Sequence, residues 1–179
     1  MDTTDSLIIQ AMRTQPDQGF RLLMGHYKEP VYWHIRRLVV AHEDAQDATQ
    51  ETFLRIFRSF SQFRNDASLK AWIYRIATHE ALRIIGSRHE ETVRLETDEA
   101  SSQLAIADSY TDFSDLEAVK LQHAIHTLPR KQQIVFNLRY YDELPYADIA
   151  AATQSTLSAV KANFHLAKEK IIRYMTEHD

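Results

Sequence analysis

Residues Asp148–Lys170, "DIAAATQSTLSAVKANFHLAKEK", decide the fold. Ile149 with its small alanines fits one short helix, and Val160, Phe164, Ala167 and Ile171 recur at helical spacing in a second. Between them "TQS" leaves a break of about three residues, which reads as a turn joining two helices. That outline fits a helix-turn-helix reader of duplex DNA, yet the turn lacks the glycine such turns favour. An alanine-rich helical hairpin satisfies the same spacing. In the DNA-reading arrangement Ala150 lets the helices touch, Val160, Phe164 and Ala167 pack inward, and Ser158, Lys161, Ala162, His165 and Lys168 face outward. Lys161 and Lys168 then suit phosphates, and Asn163 or His165 suits base edges.

Composition agrees with an all-α chain. It has 179 residues, 44% of them apolar, with three glycines and four prolines. So few breakers favour long helices over many-turned β structure, and the length suits one ordinary domain or two small ones. The absence of cysteine excludes disulfide frameworks and thiolate metal sites, and fits a cytoplasmic protein. The N-terminus "MDTTDSLIIQAMRTQPDQ" is acidic where a signal peptide needs a positive start. No run approaches about 18 consecutive apolar residues, so no membrane span is expected.

The net charge of −4 hides an uneven distribution. From Leu54 to His89 seven basic residues face two acids, from Glu90 to Glu117 nine acids face Arg94, and from Leu157 to Met175 four basic residues face Glu169. Two basic zones flank an acidic stretch, which suits solvated helix faces and nucleic-acid contact alike.

Helical patterning extends along most of the chain. It covers Asp5 to Met24 with a break at Pro16, then Tyr27 to Val40 with Val31, Ile35, Leu38 and Val39 as its apolar stripe. "HEDAQDATQETFLRIFRSF" buries Ala48, Thr52, Phe53, Ile56, Phe57 and Phe60 and leaves Asp44, Asp47, Gln50 and Glu51 on the other face. After the "RNDAS" loop, with Ser68 as N-cap, "LKAWIYRIATHEALRII" is a helix that Gly86 ends. The next residues, to about Thr111, lose periodicity and read as an acidic tether. Helices resume at Asp112–Thr127 and at "PRKQQIVFNLRYY", opened by Pro129, and "DELP" turns the chain into the quoted pair. Two small helical domains joined by a flexible acidic linker are expected.

No chemistry of an enzyme is anchored. Phosphate-cradling glycine motifs and H-E-x-x-H are absent, and His123 and His126, three apart on one helix, lack companion ligands. Glu90-Glu91 and Asp142-Glu143 sit in loop or helix-end contexts without the burial a catalytic carboxylate needs. No catalytic residue, cofactor or metal is expected. In "QFRNDASLKAWIYRIATHEALR", aromatics alternate with cations, as in surfaces that stack unpaired bases beside phosphates. There Trp72 reads as core, and Lys70 and Tyr74 as solvent-facing.

In this order the three stretches resemble an extracytoplasmic-function (ECF) sigma factor, the small two-domain class of the sigma-70 family. "DAQDATQETFLRIFRSFSQFRNDASLKAWIYRIAT" is similar to the family's region 2, and "LPRKQQIVFNLRYYDELPYADIAAATQSTLSAVKANFHLAKEKI" to its region 4. The resemblance implies a subunit that binds core RNA polymerase, at the β′ clamp and β flap, and directs it to promoter DNA. It implies region 2 over residues 1–89, a linker at 90–111 following the RNA exit path, and region 4 over 112–179. Asp44, Asp47, Gln50, Glu51 and Arg55 then dock on the clamp. Ser68, Lys70, Tyr74, Arg75, His79 and Arg83 lie near the minus-ten element and hold a flipped base. Ser158, Lys161, Ala162, His165 and Lys168 face the minus-thirty-five element. Many members are held by an anti-sigma factor, so the resemblance admits that partner too.

The chain departs from the family where His79, Arg83 and Gly86-Ser87 replace an asparagine, an aspartate and a basic pair. It departs again where Gln154 and Ser158 replace glycines and Asn163 an arginine. Gln154 is expected to adopt a left-handed conformation unless the turn avoids one. Two other readings fit the residues: a helix-turn-helix regulator that works without polymerase, which leaves the acidic helix without a role, and a protein-binding helical adaptor.

Overall fold

The computed structural model describes the backbone of residues 2–95 and 115–179, with side chains to residue 87 in the first segment. The expected acidic tether lies largely outside these residues. Every regular element described is helical: α1 Thr3–Thr14, α2 Pro16–Leu38, α3 His42–Ser59, a 3-10 turn Phe60–Gln62, α4 Leu69–Leu95, α5 Leu116–His126, α6 Arg130–Tyr140, α7 Tyr146–Thr153 and α8 Leu157–Glu177.

Local chemistry sets most of the boundaries. Asp2, Asp115 and Thr156 each accept a hydrogen bond from a backbone N–H in the first turn of α1, α5 and α8. Ser68 Oγ accepts from Ala71 N at 3.1 Å, the expected cap of α4. Pro16 starts α2, whereas Pro129 and Pro145 stand one residue before α6 and α7.

Two expected breaks do not occur. The segments on either side of Tyr27 are one helix, α2, that continues through Pro30. Burial of Leu23, Tyr27, Val31 and Ile35 along one stripe outweighs the hydrogen bond that Pro30 cannot donate. Gly86 does not end α4, which runs on to Leu95, beyond the boundary expected at residue 89. Gly86 has a negative φ, and the residues after it are ordinary helix formers, so the cost of about 1 kcal/mol for an internal glycine is tolerated.

α1 packs into α2 so closely that a Cβ on Gly19 would fall on the backbone of Ala11 and Met12. α2, α3 and α4 then enclose Leu23, Ile35, Leu38, Phe53, Ile56, Leu69 and Ile73. The aromatic trio Phe60, Phe63 and Trp72 closes one end, with ring centroids 5.2–6.1 Å apart. Trp72 packs on the core as expected, although it is half-buried rather than enclosed. Phe57 is not: it stands 47% exposed, with its ring edge against Phe20.

The C-terminal helices build a second centre from Ile125, Leu128, Phe136, Ala167 and Ile171. They also join the first. Ile134, Val135, Leu138, Leu144, Ile149 and Ala152 belong to the same apolar cluster as the α2–α4 core. The two helical units are thus packed on each other, chiefly α7 on α4 and α6 on α2.

Candidate nucleic-acid interface

The helix-turn-helix is present. α7 ends at Thr153, and Gln154 then adopts φ 53°, ψ 42°, the left-handed conformation expected of it. Ser155 N donates to Ala150 O at 2.9 Å and Gln154 N to Ala151 O at 3.5 Å, so the turn satisfies the carbonyls at the end of α7. Val160 and Ala167 are fully buried, and Phe164 stacks on Phe136 and meets Tyr146 edge-on. The opposite side of α8 is open: Ser158, Lys161, Ala162, His165 and Lys168 are all exposed. His165 Nε2 lies 3.3 Å from Glu169, which places one acid on this otherwise basic face. Asn163 is half-buried and borders a small cavity facing α4, away from that surface.

α3 presents Asp47, Gln50 and Arg55 to solvent, with Asp44 and Glu51 partly exposed. Exposed Leu54 and Phe57 run beside them, so the face is mixed rather than purely acidic. Arg55 also reaches α4, where its Nε lies 2.6 Å from Glu80 Oε1. Glu80 is only 2% exposed, and Oε2 accepts from Arg83 Nε at 3.0 Å. Glu80, which no motif or spacing singled out, therefore ties Arg55 to Arg83.

The remaining α4 residues divide. His79 and Arg83 are exposed and Arg75 half-buried. Tyr74 corrects the expectation: it is 1% exposed, not solvent-facing, because the α6–α7 connection lies over it. Tyr74 OH donates to Asp142 Oδ1 at 3.2 Å, Lys70 Nζ to Asp142 O at 3.3 Å, and Ser68 Oγ to Asp148 Oδ2 at 3.3 Å. Burial first, then the Asp142 carboxylate, pushes the Tyr74 phenol well above its ordinary range, so it stays a hydrogen-bond donor.

Asp142, expected in a loop or helix-end context, has a side chain only 4% exposed. From α2, Arg37 Nη1 lies 3.8 Å from Oδ1, and His34 Nδ1 lies 3.4 Å from Oδ2, misaligned for a hydrogen bond. His34 is itself fully buried and paired through Nε2 with Thr78 Oγ1 at 2.8 Å. Arg37 stacks on Tyr141, 4.2 Å from the ring centre. A cavity of about 740 Å³ remains between Ser68, Lys70 and Tyr74 on one side and Asp142, Pro145 and Asp148 on the other.

His126 plays a structural part. His126 is largely buried, and its Nδ1 accepts from Gln133 Nε2 at 3.3 Å, which requires the neutral ring. Burial, with repulsion from Arg130 and His123, lowers its pKa to about 4. Among the described residues no cluster of three metal-binding side chains occurs, and no helix is long and apolar enough to cross a membrane.

Comparison with known proteins shows the family of the chain. Residues 23–90 match the sigma-70 region 2 model and residues 118–171 the sigma-70 region 4 model. The RNA polymerase sigma-H factor of Pseudomonas aeruginosa is 26% identical over 177 residues, covering 93% of this chain and 91% of the relative. The ECF RNA polymerase sigma-E factor of Haemophilus influenzae is 24% identical, covering 94% and 93%. Among solved structures, CnrH in complex with the cytosolic domain of CnrY has the same fold, with a TM-score of 0.74 at 15% identity over 98% of this chain and 99% of the other. The sigma factor RpoE of Bartonella quintana, in complex with the anti-sigma factor NepR, has a TM-score of 0.71 at 16% identity over 88% and 96%.

The chain belongs to the sigma-70 family as an ECF sigma factor. It is the promoter-specificity subunit that binds core RNA polymerase and directs transcription initiation, and it is not an enzyme.

Proposed function

We propose that three faces of the molecule divide this work. The α3 face, Asp44, Asp47, Gln50, Glu51 and Arg55 with Leu54 and Phe57 beside them, docks on the β′ clamp. Its mixed character supports this, because apolar side chains supply burial and the charged rim sets orientation. The α8 face enters the major groove at the minus-thirty-five element, with Lys161 and Lys168 on phosphates and Ser158, Ala162 and His165 toward base edges. The α4 face, Ser68, Lys70, Tyr74, Arg75, His79 and Arg83, meets the minus-ten element, where Tyr74 stacks against an unpaired base.

The observation that carries this reading is the helix-turn-helix itself, with all five α8 residues exposed on one side and a left-handed turn holding the pair. Residues 1–89 and 112–179 act as the two functional units, with region 4 also touching the β flap. The protein works in the cytoplasm, where the polymerase is, and an anti-sigma factor is a further partner. Such a partner binds the free chain and lowers its transcription.

The test uses holoenzyme reconstituted from core polymerase and this chain on a promoter found by run-off transcription. Lys161→Ala weakens promoter binding and lowers the salt slope by about 1, as one lost phosphate contact requires. An unchanged slope counts against the α8 assignment. A helix-turn-helix regulator that acts alone predicts tight operator binding without polymerase.

A further inference from the structure

Glu80 is a buried carboxylate on α4 that belongs to none of the three faces. Its two oxygens are divided between two helices. Oε1 lies 2.6 Å from Arg55 Nε on α3, and Oε2 accepts from Arg83 Nε at 3.0 Å, three residues further along α4. The two guanidiniums do not depend on it equally. Arg55 has a second acid, with Glu51 Oε1 at 3.4 Å from the same Nε, whereas Glu80 is the only acid paired with Arg83 among the described residues. Both arginine side chains are more than half exposed, so a buried group anchors each while the rest meets solvent. Bonding through Nε fixes the plane of the Arg83 guanidinium and leaves both Nη amino groups as donors.

Stability alone does not account for a carboxylate here. An apolar residue of similar volume between packed helices generally supports a fold as well as a buried ion pair does, because burying charge costs solvation. What the carboxylate adds is direction. It also offsets the repulsion between the two guanidiniums it brings together. Arg58 and His79 join Arg55 and Glu80 in lining a cavity of about 360 Å³ between α3 and α4. The rim around the buried acid is therefore rich in cationic side chains, as a nucleic-acid strand requires.

We propose that Glu80 is a positioning residue for promoter selection: braced by Arg55 from α3, it holds the Arg83 guanidinium in the orientation that reads the minus-ten element. The proposal rests on the assignment of Arg83 to that element. Glu80 touches no base itself and acts through Arg83. Base preference at one minus-ten position thus depends on a residue inside the α3–α4 packing. Docking on the clamp does not, because Arg55 keeps Glu51 as a partner.

The test uses holoenzyme reconstituted from core polymerase and the full chain. Its templates are a promoter found by run-off transcription and the single-base variants of that promoter across the minus-ten element. Arg83→Ala lowers the preference between bases at one position by about ten-fold, the scale of one lost arginine contact. Glu80→Gln, close in volume and uncharged, loses most of that preference at the same position. It leaves the other positions and the affinity for core polymerase at their original levels. In the Arg83→Ala background, Glu80→Gln causes no further change at that position. Should Glu80→Gln lose helicity, Glu80→Asp keeps the charge but draws it back by one methylene, and the same preference falls in smaller measure. A preference that survives both Glu80 variants overturns the positioning role. An equal loss at every minus-ten position, or a matching loss of core affinity, makes Glu80 a structural ion pair and overturns the role as well. Failure of the minus-ten assignment reads differently, because Arg83→Ala then leaves the preference at every position intact.

Discussion

Gln154 turns α7 into α8 with a side chain where the family usually has glycine. A left-handed non-glycine residue costs about 1 kcal/mol, partly offset because glycine loses more backbone freedom on folding. Gln154→Gly is accordingly expected to leave stability unchanged or raise it by up to ~1 kcal/mol in chemical denaturation. A clear loss contradicts the turn geometry. The conformation could be read from sequence because the short turn left the chain few alternatives. Asp142 could not be read that way, since its burial depends on residues more than 60 positions away. His126 titrates with a sign fixed by its surroundings. Its folded pKa of about 4 lies below the ordinary 6.5, so the unfolded chain takes up the proton first. Its contribution is complete above pH 6.5 and is lost as pH falls toward 4, by up to ~1.4 kcal/mol per pH unit. Thermal unfolding at pH 7 and pH 5 checks this, and His126→Gln flattens that part of the profile.

At the scale of elements, periodicity located the helices well and their ends less well. α3 and α8 showed their faces in sequence because a 3.6-residue period separates exposed from buried positions. Phe57 escaped that logic, lying at the rim of the buried stripe, 47% exposed and T-shaped against Phe20. Pro30 and Gly86 are punctuation on average, but packing along α2 and helix-forming neighbours along α4 override them. Gly19 is the position where an element junction allows no side chain. Gly19→Ala pushes α1 off α2 and is expected to lower stability by ~1–3 kcal/mol, measured by urea denaturation. A neutral result shows that the helices can separate without cost.

For the whole molecule, the two-unit all-α architecture was legible because each unit carries its own apolar pattern and an acidic stretch divides them. Their mutual packing was not legible. Leu138, Leu144 and Ile149 look like ordinary core positions of region 4, and nothing in their spacing says that they complete a core begun by α2–α4. The same holds for Tyr74, whose aromatic and cationic neighbours pointed to solvent while a segment of region 4 covers it. Packed in this way, the molecule keeps the mixed face of α3 and the open side of α8 outward, with His79 and Arg83 of α4 also exposed, while Tyr74 is covered by the α6–α7 connection. The central claim is that the chain confers promoter-specific initiation on core polymerase. Run-off transcription with reconstituted holoenzyme on a library of genomic fragments tests it most directly. Discrete transcripts that depend on this chain and disappear with Lys161→Glu/Lys168→Glu are the predicted result. Failure of the unaltered chain to bind core polymerase, or to produce defined starts, contradicts it.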